Sequence, residues 1–452
     1  MLIFITFFIG IFLIFVFGYQ LVKIILPNIE RLEQIGLGYV MGIGLFTLLW
    51  FLLNWAGISY TLISGLVLLL SLNIFLFVID KLFRKAERRK PFVDTTYFKR
   101  LNIIEIFLLG VVIFLFISAL IQNIYWPIRY WDSLTLYDFR AHLFTQTGFM
   151  REAITAGSFF GYPLLTSLAH TWVYILGGTN PSFLYGLLYV SFVAIFFNNL
   201  KKMDIGRILV FFLTALVAVS PRLLDHTQWA YTNLPYSIYI TLGSIYLYFG
   251  IKKNNLRAYI ASAILIGLST WTRSTEPFWI SCFVVAFIGS LFIKKWIWPF
   301  IYSGILASIL LPWRYFKSIN ESGSVNIPVE LVSASGTAVR NFFDFSILRS
   351  VFDYVMANVV NMYLAYFIIF TLIIIGKLYL KSKNWIFVLL ILLNVGITFG
   401  GTLVFATSFQ HWHEIPDSLA RMVMFIPPMV VFLCAEFITE LKNKNERKNP
   451  QN

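Results

Sequence analysis

Charged residues are scarce in this chain. Only 12% of its 452 residues are Asp, Glu, Lys or Arg, whereas 59% are apolar. A typical soluble domain carries about 25% charged residues. The composition therefore excludes an ordinary soluble protein and indicates that lipid is the main solvent of the chain.

Cysteine is almost missing. Cys282 and Cys434 are the two in the sequence, and both fall inside apolar runs, where we expect small core residues. Neither a disulfide framework nor a thiolate metal site is indicated. The alternating pattern of membrane strands is also missing, so the apolar runs are predicted to be helices, which satisfy their own backbone groups within hydrocarbon.

The apolar runs predict an all-α, polytopic membrane protein with about thirteen crossings. Several runs approach the ~20 residues that a helix needs to span a bilayer. The first begins at Met1 without a basic leader or a small-residue cleavage site after it, and we expect a retained helix. The predicted spans are 2–18, 36–54, 60–79, 102–122, 182–200, 208–220, 235–250, 258–270, 277–293, 296–312, 359–376, 385–404 and 422–439.

The net charge of +14 is attributed to topology and not to a nucleic-acid partner. With the N-terminus outside and the C-terminus in the cytoplasm, one face collects 25 of the 35 Lys and Arg residues, which marks that face as cytoplasmic. The outer face then carries roughly balanced charge and all five histidines. The chain is therefore predicted to be a multi-pass protein of the cell membrane, surrounded by membrane lipids.

Residues 1–452 are predicted to form a single membrane domain, because the longest polar segments are too short to fold separately. These segments are two outer loops, 123–181 and 313–358. Within the first loop, Pro163–Gly177 is apolar but short and interrupted by polar residues. We expect it to be a helix lying in or dipping into the outer interface.

The first outer loop carries the strongest chemical signal. Asp132 follows two aromatic residues just beyond a predicted span, where a poorly solvated carboxylate can act as a general base. The alternative is that Asp132 caps a helix over 133–146. Asp138 and Arg140 lie nearly opposite each other on such a helix, so each is expected to approach a substrate site from its own face.

Two arginines are candidates for binding an anion. Arg273 and Glu276 stand three residues apart at the outer end of a span. They form either a local ion pair or a phosphate site in which the carboxylate holds the arginine. Arg421 follows Asp417 just ahead of the last span, and its planar guanidinium suits phosphate; snorkelling to the interface is the alternative.

The outer-face histidines allow a metal site. His411 and His413, together with His226 and an acidic residue, could bind zinc or manganese. Hydrogen-bonding roles are the other interpretation. No cofactor is assigned, and a divalent metal is left open.

Three short elements of the first outer loop resemble the membrane glycosyltransferases of the GT-C superfamily. They are the pair Trp131–Asp132, the pair Arg140–Ala141 and the YPLL segment that begins at Tyr162. The superfamily includes protein O-mannosyltransferases, aminoarabinose transferases and catalytic subunits of oligosaccharyltransferases. The resemblance implies an all-α fold with juxtamembrane helices in this loop, and it implies that Asp132 is the catalytic base or activates the acceptor. An arginine at the position of Arg421, ahead of two prolines, recurs in relatives.

The chain departs from these relatives at a second acidic position. Relatives often read YADLP where this chain reads YTNLP, so Asn233 occupies that position. Its amide can coordinate a cation or bind a sugar hydroxyl, although without charge. Asp225 is a candidate to compensate, and metal dependence stays open.

The resemblance implies transfer of a sugar, with inversion, from a polyprenyl phosphate carrier to a glycan, lipid or protein acceptor on the outer face. Asp132 would take the acceptor proton, while Arg421 and Arg273 would stabilise the departing phosphate. Aromatic rings stack on sugars. The candidates to line the sugar pocket are Trp126, Tyr130, Trp131 and Tyr162.

Two other classes of protein fit the composition. A lipid or polysaccharide transporter would place ionisable residues near the middle of the membrane and often contains paired repeats. Here the charges gather at the outer ends of spans and no repeat is visible. The third class is a scaffold subunit, whose loop residues would tolerate substitution.

Overall fold

The computed structural model describes residues 2–83, 97–155, 161–320, 344–408 and 416–448. Within these ranges the chain forms helices and no strand, which confirms the all-α class. Two π-helices, π1 (Ser133–Asp138) and π2 (Met356–Val360), accompany the α-helices. The α-helices are α1 (Leu2–Ile25), α2 (Arg31–Trp55), α3 (Leu62–Phe83), α4 (Ile103–Tyr125), α5 (Phe139–Thr147), α6 (Met150–Thr155), α7 (Leu165–Ile175), α8 (Phe183–Lys201), α9 (Arg207–Ala218), α10 (Pro221–Trp229), α11 (Asn233–Lys252), α12 (Leu256–Thr272), α13 (Trp279–Phe292), α14 (Trp298–Asn320), α15 (Phe345–Val355), α16 (Leu364–Leu380), α17 (Ile386–Ser408), α18 (Pro416–Met422) and α19 (Ile426–Lys448).

A multi-pass membrane protein is confirmed, while thirteen crossings stay a prediction. Among the described residues, seven helices are long and apolar enough to cross a membrane, and two bent pairs raise the number to at most nine. The first pair is α9 with α10, bent by 47°; the second joins the α15–π2 segment to α16, bent by 99°. Each predicted span overlaps a helix, but several of these helices are shorter than 18 residues or carry charges.

The helices divide into a lipid-facing shell and a buried centre. Only 17% of the apolar window of α4 is buried by the protein, whereas the whole window of α11 is buried. The exposed face of α4 includes Phe107 and Phe114, which suit contact with acyl chains. In contrast, α11 carries hydroxyl groups such as Tyr239, whose hydrogen bond to the Val40 carbonyl joins it to α2.

Glycine allows α1 and α2 to approach closely. A Cβ atom at Gly18 would lie 1.7 Å from the carbonyl oxygen of Gly38, and one at Gly42 would lie 2.6 Å from the carbonyl oxygen of Ile14. Any larger residue at Gly18 would therefore force the helices apart. Gly38 and Gly42 are four residues apart, the spacing of small residues common where membrane helices pack.

A buried ionic cluster joins α16 to the second half of α19. Lys377 is fully buried, and its Nζ lies 2.6 Å from Glu436 Oε2 and 2.9 Å from Glu440 Oε2. The Lys377 amine also donates to the Asn384 carbonyl at 3.0 Å. Glu436 accepts a further hydrogen bond from the Asn384 amide at 2.6 Å. We refer to these four residues as the Lys377 cluster.

Two parts of the predicted outer loops are more buried or more helical than expected. Residues 165–173 of α7 are all buried by neighbouring parts of the protein. That Pro163–Gly177 lies in or dips into the outer interface stays a prediction. The span predicted to end at 312 continues to Asn320, because Trp313 and Phe316 are buried and keep the helix packed beyond Pro312. The second loop is therefore partly helical at its start, and residues 321–343 lie outside the described part.

Candidate functional site

A cavity of about 310 Å³ brings together segments that are distant in the sequence. The start of π1, the loop after α6, the first residue of α11, the end of α12 and α18 all contribute to it. Five residues proposed from the sequence are among those that line it. The lining residues are Asp132, Leu136, Tyr137, Tyr162, Asn233, Arg273, Ser418 and Arg421.

The π-helix determines how Asp132 faces this cavity. In π-helical bonding each N–H reaches the carbonyl five residues earlier, so residues four and five apart share a face. Asp132, Leu136 and Tyr137 accordingly line the cavity together. The Asp132 side chain makes no capping hydrogen bond within the described chain, so the capping interpretation is not supported.

Arg421 lies opposite Asp132. Its Nη1 is 3.4 Å from Asp132 Oδ2, and the two side chains are 17% and 39% exposed. The guanidinium carbon lies 5.3 Å from the ring centre of Tyr231 and 6.0 Å from that of Trp229. These two rings, which we call the aromatic platform, stabilise the cation through their π faces.

The platform is joined to the segment that carries Asp132. The hydroxyl of Ser133 donates to the carbonyl of Trp229. The rings of Trp229 and Tyr231 lie 5.6 Å apart in an edge arrangement. The carboxylate, the platform and the arginine therefore form one packed unit.

Arg273 is held by the protein on several sides. Its Nε donates to Glu276 Oε1 at 2.8 Å, and its Nη2 donates to the same oxygen and, at 3.1 Å, to the Tyr162 hydroxyl. Its Nη1 donates to Thr232 Oγ1 at 3.0 Å and to Asn233 Oδ1 at 3.4 Å. The local ion pair is thus confirmed, and Arg273 cross-links α11, α12 and the loop of Tyr162.

The pair Arg273–Glu276 does not arise on a helix face. Arg273 has extended backbone angles of φ −144° and ψ 112° and ends α12. Glu276 precedes Pro277, which disfavours helical geometry at the residue before it. The two side chains therefore meet across the turn that follows α12.

Asn233 contributes a neutral amide to the cavity. Its side-chain oxygen accepts the 3.4 Å hydrogen bond from Arg273. The guanidinium groups of Arg273 and Arg421 line the same cavity and repel a divalent cation. Among the described residues there is no group of three or more His, Cys, Asp or Glu that could hold a metal ion. The described residues therefore do not fit a metal, and no chemical step is derived through one.

Tyr162 remains a neutral phenol in this environment. Arg273 lowers its pKa, but burial and the carboxylates of Glu276 and Asp132 raise the pKa more, so that it lies above the usual value for tyrosine. The guanidinium carbon of Arg273 lies 4.5 Å from the Tyr162 ring centre. Tyr162 is thus suited to hydrogen bonding and not to proton abstraction at neutral pH.

Asp138 is not brought to the cavity. It is buried and accepts hydrogen bonds from the Tyr174 hydroxyl at 2.6 Å and from His170 Nδ1 at 3.0 Å. The other ring nitrogen of His170 lies 2.9 Å from the Tyr185 hydroxyl, and His142 Nε2 lies 3.4 Å from Asp138 Oδ2. This network fastens π1 to α7 and α8.

The charge state of Asp138 agrees with a structural role. Burial raises the pKa of its carboxyl group, but the hydrogen bond and electrostatic interaction with His170 and the hydrogen bond of Tyr174 lower the pKa more. The net pKa lies below the usual value for aspartate. Asp138 is therefore ionised at neutral pH and holds a proton poorly.

Arg140 is also buried away from the cavity lining. Its Nε donates to the Leu136 carbonyl at 2.9 Å, and its Nη1 donates to the Tyr162 carbonyl at 3.1 Å. Burial lowers the pKa of Arg140 to about 10, which leaves it protonated at neutral pH. Arg140 positions the backbone of two residues that do line the cavity.

The aromatic lining differs from the sequence prediction. Tyr162 lines the cavity, whereas the cavity-lining set omits Trp126, Tyr130 and Trp131. Trp131 is 77% exposed, as expected for a residue at a membrane interface. Leu136, Tyr137 and Ser418 were missed. Tyr137 lies five residues after Asp132, and only a prediction of the π-helix Ser133–Asp138 would have placed both at the cavity.

The remaining residues predicted for the site either do not line the cavity or lie outside the described part of the chain. His226 is fully buried, with its ring centre 4.4 Å from that of Trp229, and it does not line the cavity. Asp225 also lies outside the lining. His411 and His413 lie outside the described residues, and so does the side chain of Asp417.

A second cavity, of about 730 Å³, lies between α15 and α17. We call it the apolar groove. Its lining is apolar except for Arg349 at one side. The lining residues are Phe345, Leu348, Arg349, Val351, Phe352, Gly396, Phe399, Gly400 and Leu403.

Comparison with known proteins gives no match: no family model, no curated protein and no solved structure is found to be similar to the chain.

Proposed function

We propose that the protein is a glycosyltransferase that moves a sugar from a polyprenyl phosphate carrier to an acceptor on the outer face of the cytoplasmic membrane. The observation that carries this proposal is a carboxylate and a guanidinium facing each other at one cavity. Asp132 and Arg421 are separated by nearly three hundred residues in the sequence, yet their charged groups lie 3.4 Å apart. A sugar phosphate needs both a base for the incoming hydroxyl and a cation for the departing phosphate.

The proposed step is a single displacement at the anomeric carbon. The acceptor hydroxyl attacks this carbon and gives its proton to the Asp132 carboxylate. The bond between the anomeric carbon and the phosphate oxygen breaks, and its electron pair leaves with the polyprenyl phosphate. Attack from the face opposite the leaving group gives inversion. Arg421 stabilises the charge that grows on the phosphate, because a preorganised cation acts most strongly on developing charge.

Arg273 is assigned a different part from the one suggested by the sequence. Its donors are already engaged by Glu276, Thr232, Asn233 and Tyr162. It therefore shapes the cavity by fixing the phenol of Tyr162, and Arg421 is the cation assigned to phosphate. The rings of Tyr137 and Tyr162, 6.2 Å apart, are suited to contact a sugar.

The apolar groove is proposed to hold the polyprenyl tail. Its helix α15 continues through π2 towards Tyr363, whose hydroxyl donates to the Ala420 carbonyl at 3.0 Å. Ala420 is the residue before Arg421. The segment from α15 to Tyr363 thus links the groove to the residue before Arg421, and apolar lining suits an isoprenoid chain.

The orientation follows from the distribution of basic residues. If the face rich in Lys and Arg is cytoplasmic, then Asp132 lies outside, where nucleotide sugars are scarce and a lipid-borne donor is the suitable one. The thirteen-crossing topology, with the N-terminus outside and the C-terminus inside, belongs to this proposal. A glycan, a lipid or a protein fits the acceptor side equally.

A direct test uses membranes that contain the protein and a panel of labelled polyprenyl phosphate sugars. The wild type is expected to transfer one of them, and Asp132→Asn is expected to abolish transfer without changing protein abundance. Loss of a general base typically costs about 10²- to 10⁴-fold in rate. Glu152→Gln is the matched control, because Glu152 is an exposed carboxylate in α6 outside the cavity lining.

The outcomes separate the alternatives. A transporter would move the lipid across the membrane without forming a glycosidic bond, and a scaffold subunit would tolerate Asp132→Asn. Full transfer by the Asp132→Asn protein would remove Asp132 as the base.

A further inference from the structure

The two cavity arginines are held in different ways. Arg273 is 5% exposed in its side chain and makes hydrogen bonds from Nε, Nη1 and Nη2 to protein oxygens. Arg421 is 17% exposed, and its 3.4 Å contact with Asp132 is close to the upper limit for a hydrogen bond. Asp132 itself is 39% exposed. An ion pair with this much solvent contact contributes little, so its partners can be exchanged.

The aromatic platform gives Arg421 a fixed position that does not depend on Asp132. Tyr231 is buried, and its ring lies 5.3 Å from the guanidinium carbon. The Tyr231 hydroxyl also interacts with the Arg421 side chain, so Tyr231 holds the cation through both its ring and its hydroxyl. The guanidinium can therefore exchange its carboxylate partner while it stays on the platform.

We infer that the donor phosphate displaces Asp132 from Arg421, and that Trp229 and Tyr231 are the positioning residues that keep the guanidinium in place during the exchange. This inference rests on the proposed function. A phosphate offers the arginine two parallel charge-assisted hydrogen bonds in place of the long contact with Asp132. Displaced from Arg421, Asp132 Oδ2 becomes available to accept a hydrogen bond from the acceptor hydroxyl. The base thus becomes competent when the donor is bound, which prescribes donor binding before acceptor deprotonation.

The exchange makes an unusual prediction for binding. Asp132 competes with phosphate for Arg421, so Asp132→Asn should bind the lipid phosphate more tightly than the wild type. The expected gain is roughly two- to five-fold, the range of a half-exposed ion pair. The probe is decaprenyl phosphate without sugar, titrated into the full-length protein in lipid–detergent micelles.

A double-mutant cycle separates exchange from general charge repulsion. The variants are Asp132→Asn, Arg421→Ala and the double variant, with Glu152→Gln as the control for removing one outer carboxylate. Exchange requires that Asp132→Asn no longer tightens binding when Arg421 is absent. Unchanged affinity in the Asp132→Asn protein would overturn the inference, and so would an equal gain in the Arg421→Ala background.

The platform is tested by Tyr231→Leu against Tyr231→Phe. Phe retains the π face and loses only the hydroxyl that interacts with Arg421, so it should bind decaprenyl phosphate several-fold more tightly than Leu, which loses both. Equal affinities of the two variants would contradict the positioning role. If Tyr231→Leu does not fold, Trp229→Leu against Trp229→Phe provides the same comparison on the second ring.

Sugar transfer by the Asp132→Asn protein is measured separately. Tighter binding with no transfer supports both the exchange and the base. Unchanged binding with no transfer removes the exchange and leaves the proposed function standing. Retained transfer removes the proposed base whatever the binding result.

Discussion

Charges are held in opposite ways before the start of α19 and along its middle. Before its start, Arg421 meets Asp132 at 3.4 Å at an open cavity. In the middle of the helix, Glu436 and Glu440 meet the fully buried Lys377 at 2.6 and 2.9 Å. The buried cluster costs much to break, because any charge left alone has no water to solvate it. The open pair costs little to break, which is what a site that must admit a charged substrate requires.

The comparison also distinguishes Arg421 from Arg273 within the same cavity. Arg273 resembles the Lys377 cluster, since its partners are buried protein groups. In contrast, Asp132, the carboxylate described beside Arg421, is 39% exposed to solvent. A charged side chain that is buried and has all its hydrogen-bond donors engaged by the protein has a structural role. A more exposed one of the same residue type is available to a substrate.

The largest expected effect on stability is that of Lys377→Met. The buried carboxylate of Glu436 would be left without its cation, beside the partly exposed carboxylate of Glu440, and the free energy of unfolding should fall by about 3–5 kcal/mol. Thermal unfolding of the purified protein measures the change. Lys442→Met is the control, because its partner Asp204 is 79% exposed; a change of at most about 1 kcal/mol is expected there. Equal effects of the two substitutions would contradict the account of the cluster.

The next effect distinguishes the two cavity arginines. Arg421→Gln should lower transfer from the lipid phosphate donor by about 10²-fold, the typical result of removing a charge-stabilising group, with little change in thermal stability. Arg273→Gln should lower thermal stability as well, because it leaves Glu276 buried without its partner. Kinetics and unfolding curves of both variants test this. Similar stability losses for both would show that Arg421 is as structural as Arg273.

A smaller effect is expected from filling the apolar groove. A Cβ atom at Gly400 meets open space, so Gly400→Phe should fold and obstruct the groove. Transfer from a long-chain donor should fall several-fold, while transfer from a short-chain analogue should not change. Gly110→Phe on the lipid-facing side of α4 is the control, because a Cβ atom there also meets open space. Equal loss with both donors would remove the groove as the site of the tail.

The smallest effect is expected from metal removal. The cavity is lined by two guanidinium groups, which disfavour a divalent cation. Transfer measured with a chelator should therefore match transfer without it. Strong inhibition that a divalent ion reverses would contradict this view and direct attention to His411 and His413.

Much of the fold was predictable because lipid imposes a simple rule on sequence. A segment such as α4, with long apolar side chains facing outward, can only be a helix in hydrocarbon. The interior was harder to predict. α7 was placed at the interface because of its polar residues, yet Thr166, Ser167 and His170 are buried among other helices. A single sequence does not distinguish water from a polar protein neighbour as the partner of such groups.

The site was predictable in its charges and not in its geometry. Asp132, Arg273 and Arg421 were recognised because charged groups beside a membrane are costly and rarely accidental. Tyr137 lines the cavity, whereas Asp138 does not. This difference depends on π1, because its hydrogen bonds between residues five apart change which side chains share a face. The pairing of Asp132 with Arg421 depends on long-range packing, which no local spacing encodes.

The measurement that tests the central claim most directly is the accessibility of the segment around Asp132. Cysteine would be introduced at Glu152, which is exposed, or at Lys442 near the other end of α19, in a protein in which Cys282 and Cys434 are replaced by alanine. With a membrane-impermeant maleimide on intact cells, the account predicts labelling of Glu152→Cys and no labelling of Lys442→Cys until the membrane is opened. The reverse pattern would place Asp132 in the cytoplasm and contradict the proposed outer-face transfer.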